Sequence, residues 1–431
     1  NDEAMLTKGR DSRVLIVDSI LADLDYAILH LDETNSDEKI TKWTALALQS
    51  RAALFEGTFR KYHKDLNLPN ATSLLEKSAA AAKAIMDGGK YSLYQGDGTN
   101  GYQALFSSVN AVNQEVILAR KFSDALQIWH NVNYYTITAS YGKPGLDKDL
   151  VNTYLMNDGT PFTAKANYEK MTFLEEVKNR DPRLSQTIRT PGYKRIGGNA
   201  TLAPNFGNSV TGYHLIKFVG DVRYDSYNAS ENDMPIFRYA EVLLNYAEAK
   251  AELGLLTQGD IDISIKPLRD RAGMPNLNYA DAVARPDAYL ANQYKNVKGA
   301  HQGVILEVRR ERRIELVMES FRWDDLMRWK EGSNVVRQFK GMYFPGIGRF
   351  DLDGDQKDDI WIYEGEKPNA SDVQLLKLGA DITLEHGTSG NVIINAHINK
   401  EFKENRDYLY PLPIQELQLN ENLVQNPNWA N

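Results

Sequence analysis

Residues 234–254 constrain the fold of this chain more than any other segment. Small or apolar side chains recur there at helical spacing, and they are Ala240, Leu243, Leu244, Ala247 and Ala251. Alanines on a buried stripe let a second helix approach closely, and Gly254 is the residue type at which such a helix ends before a turn. The segment therefore predicts a hairpin of closely packed helices of the tetratricopeptide type.

Apolar periodicity predicts further helices along the chain. The predicted helices cover residues 11–31, 41–63, 72–87, 110–130, 234–253, 260–272 and 303–330. Gly, Asn, Tyr and Thr are dense between residues 131 and 233, where turn signals recur. Within that stretch, residues 147–156 and 165–179 have helical patterns and residues 210–222 favour short strands.

No linker or low-complexity segment divides the chain, so we expect one domain over residues 1–431. The predicted fold class is mainly α, a tetratricopeptide-like helix-turn-helix scaffold with a large loop-rich region that binds ligand. The scaffold is assigned to residues 11–130 and 234–330, and the loop-rich regions to residues 131–233 and 340–431. Long irregular stretches in compact proteins are usually functional, and abundant Tyr and Phe argue against disorder.

Composition argues against several classes of function. The chain has no cysteine, which removes disulfides, thiolate nucleophiles and cysteine-ligated metals. A formal charge of −8 argues against nucleic-acid binding, which needs a basic face. The histidines are dispersed, and no zinc-protease, nucleophile-elbow or phosphate-loop motif occurs. Nothing in the sequence demands an enzyme.

Aromatic residues in the loops are the candidates for ligand contact. A tyrosine ring offers a flat apolar face and a hydroxyl, which suits sugars, and the chain has 23 tyrosines. The candidate platforms are Tyr134, Tyr135, Tyr141, Tyr193, Phe206 and Tyr213. Candidate partners for sugar hydroxyls are Arg195, Asn199 and Asn205. Filling of the hydrophobic core is the alternative role for these rings.

Residues 351–359 form an acidic loop with the spacing of a calcium site. The candidate ligands are the carboxylates of Asp351, Asp353, Asp355 and Asp359 and the carbonyl of Lys357. Gly354 supplies the bend, and such spacing suits Ca²⁺, which accepts several oxygens in a flexible shell. We expect a structural Ca²⁺ that stiffens the loop. A solvated acidic turn without metal is the alternative.

Several segments resemble the signature wording of the SusD/RagB family, and they occur in the same order. They are residues 113–117 (NQEVI), 150–154 (LVNTY), 179–184 (NRDPRL), 238–241 (RYAE), 311–315 (ERRIE), 321–329 (FRWDDLMRW) and 411–414 (PLPI). The similarity extends over almost the whole sequence and does not depend on one motif. Residues 179–184 are nearly the family wording as it stands.

The resemblance implies a nutrient-binding lipoprotein on the outer membrane and cell surface of a Bacteroidetes bacterium. Such a protein holds its ligand, most often an oligosaccharide, without altering it and passes it to a SusC-like TonB-dependent transporter. Family members begin with a lipidated cysteine and a further N-terminal segment, which this sequence does not contain. In relatives, ligand-contacting aromatic residues come from loops ahead of the Arg-Tyr-Ala-Glu helix, which directs attention to residues 131–233.

Three alternatives stay open. The first is a peptide-binding member of the same family. The second is a helical glycoside hydrolase that uses paired carboxylates such as Asp324 and Asp325. The third is a repeat scaffold that binds only proteins.

Most signature residues are expected to hold the fold. Arg238 and Glu241 are predicted to pair across repeats, because a charge inside a helical core is costly without a partner. Trp323 and Trp329 are predicted to be wedged between helices. Glutamates at every fourth position from Glu307 to Glu319, interleaved with arginines, predict a solvated, salt-bridged helix face, with partner docking as the alternative.

Overall fold

The computed structural model describes residues 7–96 and 100–429, so the ends of the predicted domain and residues 97–99 lie outside the described residues. Fifteen helices are named here: α1 Arg13–His30, α2 Lys42–Tyr62, α3 Ala71–Gly88, α4 Gly101–Ser107, α5 Val132–Ile137, α6 Lys148–Thr153, α7 Phe173–Glu176, α8 Pro182–Ser185, α9 Tyr239–Glu252, α10 Gln258–Arg271, α11 Tyr279–Ala284, α12 Ala288–Gln293, α13 Gln302–Glu315, α14 Phe321–Arg328 and α15 Ile414–Leu419. Seven short strands accompany them: β1 Val116–Arg120, β2 Met234–Arg238, β3 Lys340–Phe344, β4 Gly348–Phe350, β5 Ile360–Tyr363, β6 Gln374–Lys377 and β7 Gly390–Ile393.

Helical hairpins dominate, as the fold class predicted. Helices α2 and α3 pack together, and α9 packs against both of them and against α10 and α13. Close approach depends on small residues: Ala82 and Ala247 are fully buried, and a Cβ on Gly57 would lie 2.9 Å from Leu75 Cγ. The mainly α, tetratricopeptide-like prediction is therefore confirmed. Within the described residues, no helix combines the length and apolarity that crossing a bilayer requires.

The predicted helix over 110–130 is wrong. Strand β1 pairs there antiparallel with β2, with Val116 opposite Arg238 and Arg120 opposite Met234. The apolar run 116–119 suits a buried helix or a buried strand equally well, and only the pairing partner decides between them. The start of the predicted helix 234–253 becomes β2 for the same reason.

The predicted long helix 303–330 is two helices. Helix α13 ends at Glu315 and α14 begins at Phe321, with Met318 and Ser320 in left-handed conformations between them (φ 63° and 67°). Of the predicted helix 165–179, only a short turn at 168–170 and α7 form. Residues 210–222 contain no strand and are joined to the rest of the fold through isolated bridges such as Ile188–Leu215.

The second part of the molecule has a core of its own. Strand β3 pairs with β7, and β4, β5 and β6 form a three-stranded sheet. Their apolar side chains bury against α6 and the loop-rich stretch, with Met342, Ile360 and Tyr213 fully enclosed. This core gives the irregular loops a rigid base.

A buried ion-pair cluster joins the two parts. Glu315 on α13 accepts from Arg238 at 2.8 Å and from Arg183 at 3.2 Å, and it also bonds Arg271. Glu311 and Glu315 are fully buried. The predicted solvated face is therefore wrong at these positions, because α13 packs into the molecule along the side that carries these glutamates. Arg238 does pair across the fold, as predicted.

The two signature tryptophans differ in burial. Trp329 is fully buried and its indole N–H donates to Glu248 at 2.7 Å, as the wedged position predicts. Trp323 is 43% exposed, so the same prediction is wrong for that residue. It lies at the first turn of α14, where the helix meets solvent.

Candidate ligand-binding site

Four tyrosine rings form one surface cluster, which we call the tyrosine surface: Tyr134, Tyr135, Tyr141 and Tyr227. The Tyr134 ring centre lies 5.4 Å from that of Tyr141 and 5.8 Å from that of Tyr227. Tyr135 and Tyr141 are 4.9 Å apart. Exposure is 41% for Tyr135, 43% for Tyr141 and 56% for Tyr227. The fold thus brings three of the candidate platforms together and adds Tyr227, which the sequence interpretation missed.

Side-chain amides hold the two segments of this surface together. Asn131, next to α5, and Asn228 exchange hydrogen bonds at 2.8 and 2.6 Å. Asn133 is fully buried and donates to Tyr224 O at 2.9 Å and to Asp225 Oδ1 at 3.0 Å. These bonds fix the loop of Tyr227 against the helix of Tyr134. Burial raises the pKa of Tyr135, and the neighbouring phenols of Tyr227 and Tyr141 raise it further.

Arg195 supports this surface from beneath. Its guanidinium donates to both oxygens of Asp225, at 2.6 and 3.3 Å, and to Gly220 O at 3.0 Å. The side chain is buried, and both terminal nitrogens of the guanidinium are engaged in these contacts. Arg195 therefore positions the loop before Tyr227 instead of offering free donors to a ligand. Tyr193 is half-buried beside Arg189, whose guanidinium lies 5.6 Å from its ring centre.

Phe206 and Tyr213 belong to the core. Tyr213 is fully buried and its hydroxyl donates to Glu176 at 2.7 Å. Phe206 is buried with its ring 6.0 Å from that of Phe344. Enclosed rings offer no face to a ligand, so the structure contradicts both as platforms. The exposed Asn199 and Asn205 are not in the tyrosine cluster, and Asn205 Oδ1 accepts from Gly207 N at 2.6 Å.

The acidic loop brings three of its carboxylates together. Oxygen atoms of Asp351, Asp353 and Asp359 lie within 4.8 Å of one another. Backbone N–H groups of Gly354 and Gln356 donate to Asp351 at 2.6 and 2.9 Å and fold the loop around it. Burial, followed by the charges of Asp353 and Asp351, raises the pKa of Asp359. A divalent cation would relieve this repulsion.

Asp355 lies apart from these three carboxylates. Its carboxylate accepts from the backbone N–H of Lys357 at 2.8 Å and from the Lys357 ammonium at 3.0 Å. One of the predicted ligands is therefore in contact with the Lys357 ammonium and is not among the three clustered carboxylates. The donors that fit a Ca²⁺ ion in this structure are Asp351, Asp353 and Asp359.

Helical hairpins with an aromatic surface built on irregular loops define a helical-repeat protein whose candidate site lies outside the repeats. The model of the SusD family matches residues 114–429, and the chain belongs to that family. SusD-like protein P38 of Formosa agariphila is 23% identical over 353 residues, which are 79% of this chain and 62% of that protein. The chain therefore spans less than two thirds of the length of this relative.

Solved structures share the fold. A SusD-like carbohydrate binding protein from Bacteroides fragilis superposes with a TM-score of 0.66 at 22% identity, covering 98% of this chain and 74% of that one. A SusD superfamily protein from Parabacteroides distasonis superposes with a TM-score of 0.55 at 19% identity, covering 98% and 70%. At these identities the likeness concerns the fold alone.

Proposed function

We propose that this protein binds an oligosaccharide at the tyrosine surface and does not alter it. The observation that carries the proposal is the clustering of Tyr134, Tyr135, Tyr141 and Tyr227, with three of the rings more than a third exposed. Such rings stack on the apolar faces of sugars while their hydroxyls bond the rims. The related B. fragilis structure is described as a carbohydrate binding protein, which supports the same class of ligand.

The environment of the two candidate hydrolase carboxylates, Asp324 and Asp325, argues for ligand binding and against glycoside hydrolysis. Asp325 is buried and bonded to Arg312 at 2.9 Å and to Arg328 at 2.8 Å, which hold its pKa below its ordinary value against burial. A carboxylate neutralised in this way is a poor general acid and a poor nucleophile. Asp324 is exposed and directly precedes Asp325 on the same helix, α14.

Titration calorimetry with a glycan panel and a peptide mixture tests the proposal. Truncating Tyr134 or Tyr227 to Ala removes about 0.5–1.5 kcal/mol of ring contact, so the dissociation constant rises about two- to tenfold. Tyr26→Ala is the matched control, because Tyr26 is exposed on α1 and is not part of the cluster. Binding of peptides alone would identify the peptide-binding alternative, and release of reducing sugar would identify a hydrolase.

We further propose that the protein acts at the bacterial cell surface and delivers its ligand to a SusC-like TonB-dependent transporter. Family membership supports this role. In this proposal an N-terminal lipid anchors the protein. Co-purification of the full-length protein with the transporter from outer membranes tests the assignment, and recovery of the protein in the cytosolic fraction would refute it.

We propose a structural Ca²⁺ ion in the acidic loop, held by Asp351, Asp353 and Asp359. Saturating Ca²⁺ at 100 times its dissociation constant stabilises the fold by about 2.7 kcal/mol. Asp353→Asn is expected to abolish this stabilisation. Asp355→Asn is expected to retain it, because Asp355 is occupied by Lys357. A thermal midpoint that does not respond to Ca²⁺ in the unaltered protein would identify the loop as a solvated acidic turn.

A further inference from the structure

A cavity of about 670 Å³ lies where α13 and α14 meet residues 145–150, which lead into α6, and residues 334–339. Its lining contains four arginines, Arg312, Arg313, Arg322 and Arg337, among apolar side chains. Two of the four are neutralised: Arg312 bonds Asp325 at 2.9 Å and Arg337 bonds Asp149 at 3.1 Å. None of the four tyrosines of the tyrosine surface lines this cavity.

Arg313 and Arg322 have no carboxylate partner among residues 7–96 and 100–429. Arg313 donates to Gln293 Oε1 at 2.9 Å and Arg322 donates to the Tyr294 hydroxyl at 2.9 Å, and both acceptors are neutral. Both arginines are half-buried, so a ligand in the cavity has access to them. By contrast, the fully buried Arg238 contacts three carboxylates.

The positive charges of Arg313 and Arg322 shift pKa values at this site. Burial and then the charge of Arg313 lower the pKa of Arg322, although Tyr294 opposes them. Burial would raise the pKa of Tyr294, but Arg322 and Arg313 outweigh it and lower that pKa. Two partly desolvated guanidinium groups with no carboxylate in ion-pair contact among the described residues make a site that favours an anion.

Asp147 does not supply that anion. It lines the same cavity, but it forms no ion pair with either arginine and accepts instead from the backbone N–H of Lys340 at 3.1 Å. Burial, followed by the charge of Asp149, raises the pKa of Asp147 to about 6. Most of Asp147 is therefore still ionised near neutral pH, but the four arginines of the cavity outnumber its three carboxylates, those of Asp147, Asp149 and Asp325.

Aromatic rings lie beside these arginines. Phe321 and Trp323 line the cavity on either side of Arg322 in the sequence. Trp323 is 43% exposed, and its indole N–H donates to the hydroxyl of the exposed Tyr410 at 3.0 Å, which orients the ring. An indole face is a platform for the apolar face of a pyranose ring.

We propose that this cavity is a second binding site that takes an acidic sugar residue. Its carboxylate or sulfate group lies between Arg313 and Arg322, and its ring lies against Trp323. Bidentate guanidinium contacts suit both kinds of anion. The proposal rests on the proposed function in one respect, that the ligand is a saccharide, and it uses none of the tyrosine residues.

The experiment compares charged saccharides with matched neutral ones by titration calorimetry. The pairs are trigalacturonate with its methyl ester, and a sulfated galactan oligosaccharide with its desulfated form. At least one acidic member is expected to bind at least tenfold more tightly than its neutral partner, and which one does so distinguishes carboxylate from sulfate. Arg313→Gln and Arg322→Gln are each expected to raise the dissociation constant for the acidic saccharide about tenfold.

Arg120→Gln is the matched control, because Arg120 is exposed, has no ion pair among the described residues and does not line the cavity. The thermal midpoint of Arg313→Gln without ligand is expected to match or exceed that of the unaltered protein. The substitution removes the repulsion between the two positive charges of Arg313 and Arg322, and this does not destabilise the fold. A purely structural role for Arg313 would lower it. Inorganic sulfate is a second probe, expected to raise the midpoint more in the unaltered protein than in Arg313→Gln.

Equal binding of charged and neutral saccharides, or acidic binding that both arginine variants retain, would overturn the proposal. Binding of an acidic peptide with no response to any saccharide would also overturn it and assign the cavity to peptides. Failure of the tyrosine surface is distinguishable. Tyr134→Ala would then leave every affinity unchanged, while the arginine variants would still lose the acidic saccharide.

Discussion

Replacing Glu315 with Gln tests whether buried ion pairs hold the two parts of the molecule together. Glu315 is fully enclosed and accepts from Arg183, Arg238 and Arg271. Burial alone would raise the pKa of Glu315, but these three arginines hold it well below its ordinary value. Glutamine keeps the size of the side chain and removes its charge. Three guanidinium groups then lose a shared counter-ion in the interior.

The expected loss of stability is large. Removing one partner of a buried ion pair costs about 3–5 kcal/mol. Unfolding entropy of roughly 2.1 cal/mol/K per residue over 431 residues is about 0.9 kcal/mol/K for a cooperative transition. The thermal midpoint of Glu315→Gln should therefore fall by about 3–6 °C relative to the unaltered protein.

The effect has a defined pH dependence. Because the pKa of Glu315 is lower in the folded state, its contribution is present above the unfolded pKa, near 4.5, and is lost as the pH falls towards the folded value. The difference between the two proteins should shrink as the solution is acidified below pH 5. Glu38→Gln is the control, because Glu38 is 62% exposed and should change little.

Differential scanning calorimetry at pH 7 and at pH 4 measures both expectations. A midpoint for Glu315→Gln within 1 °C of the unaltered protein at pH 7 would refute the reasoning. It would mean that the arginines relax to other partners without loss. A decrease of the same size at both pH values would show that packing, and not charge, is responsible.

Two further predictions concern the core. His214 is buried, and neither ring nitrogen has a hydrogen-bond partner among the described residues. Burial, followed by Arg189 and Arg195, lowers its pKa to about 3, so the stabilising effect of a neutral His214 is full above about pH 6.5 and falls with acidification. Between pH 7 and pH 5, the free energy of unfolding in urea should fall by about 2 kcal/mol less for His214→Leu than for the unaltered protein, and an unchanged pH dependence would contradict this. A Cβ on Gly303 would lie 1.8 Å from Ala282 O, whereas one on Gly259 meets only Thr257 Oγ1 at 3.7 Å. Gly303→Ala should therefore lower the thermal midpoint and Gly259→Ala should not, and equal midpoints would show that α13 shifts freely.

Periodic segments were predictable because their signal is local. The predicted 11–31, 41–63 and 72–87 became α1, α2 and α3 with ends within two residues. Spacing of apolar and alanine residues decides whether a segment is helical and which side is buried, and both are properties of neighbouring residues. The family motifs are sequence facts of the same kind. The clustering of three tyrosines could be predicted in part from the sequence, since Tyr134, Tyr135 and Tyr141 lie within eight positions of one another.

Tertiary contacts decided the rest. Arg312 and Arg313 are adjacent in sequence and line the same cavity, yet α13 turns Arg312 towards Asp325, whereas Arg313 forms no ion pair within the part of the chain that the structure describes. Trp323 and Trp329 occupy one motif, yet one is exposed and the other enclosed.

The amino-acid sequence by itself determined the first three helices of the scaffold, the family and the residue types available for a site. The tertiary structure decided which of these side chains meet solvent, because exposure depends on what distant segments cover, as Tyr213 in the core and Tyr227 on the surface show. It likewise decided which charges are neutralised, since a counter-ion comes from wherever the chain returns in space. No local pattern encodes that return.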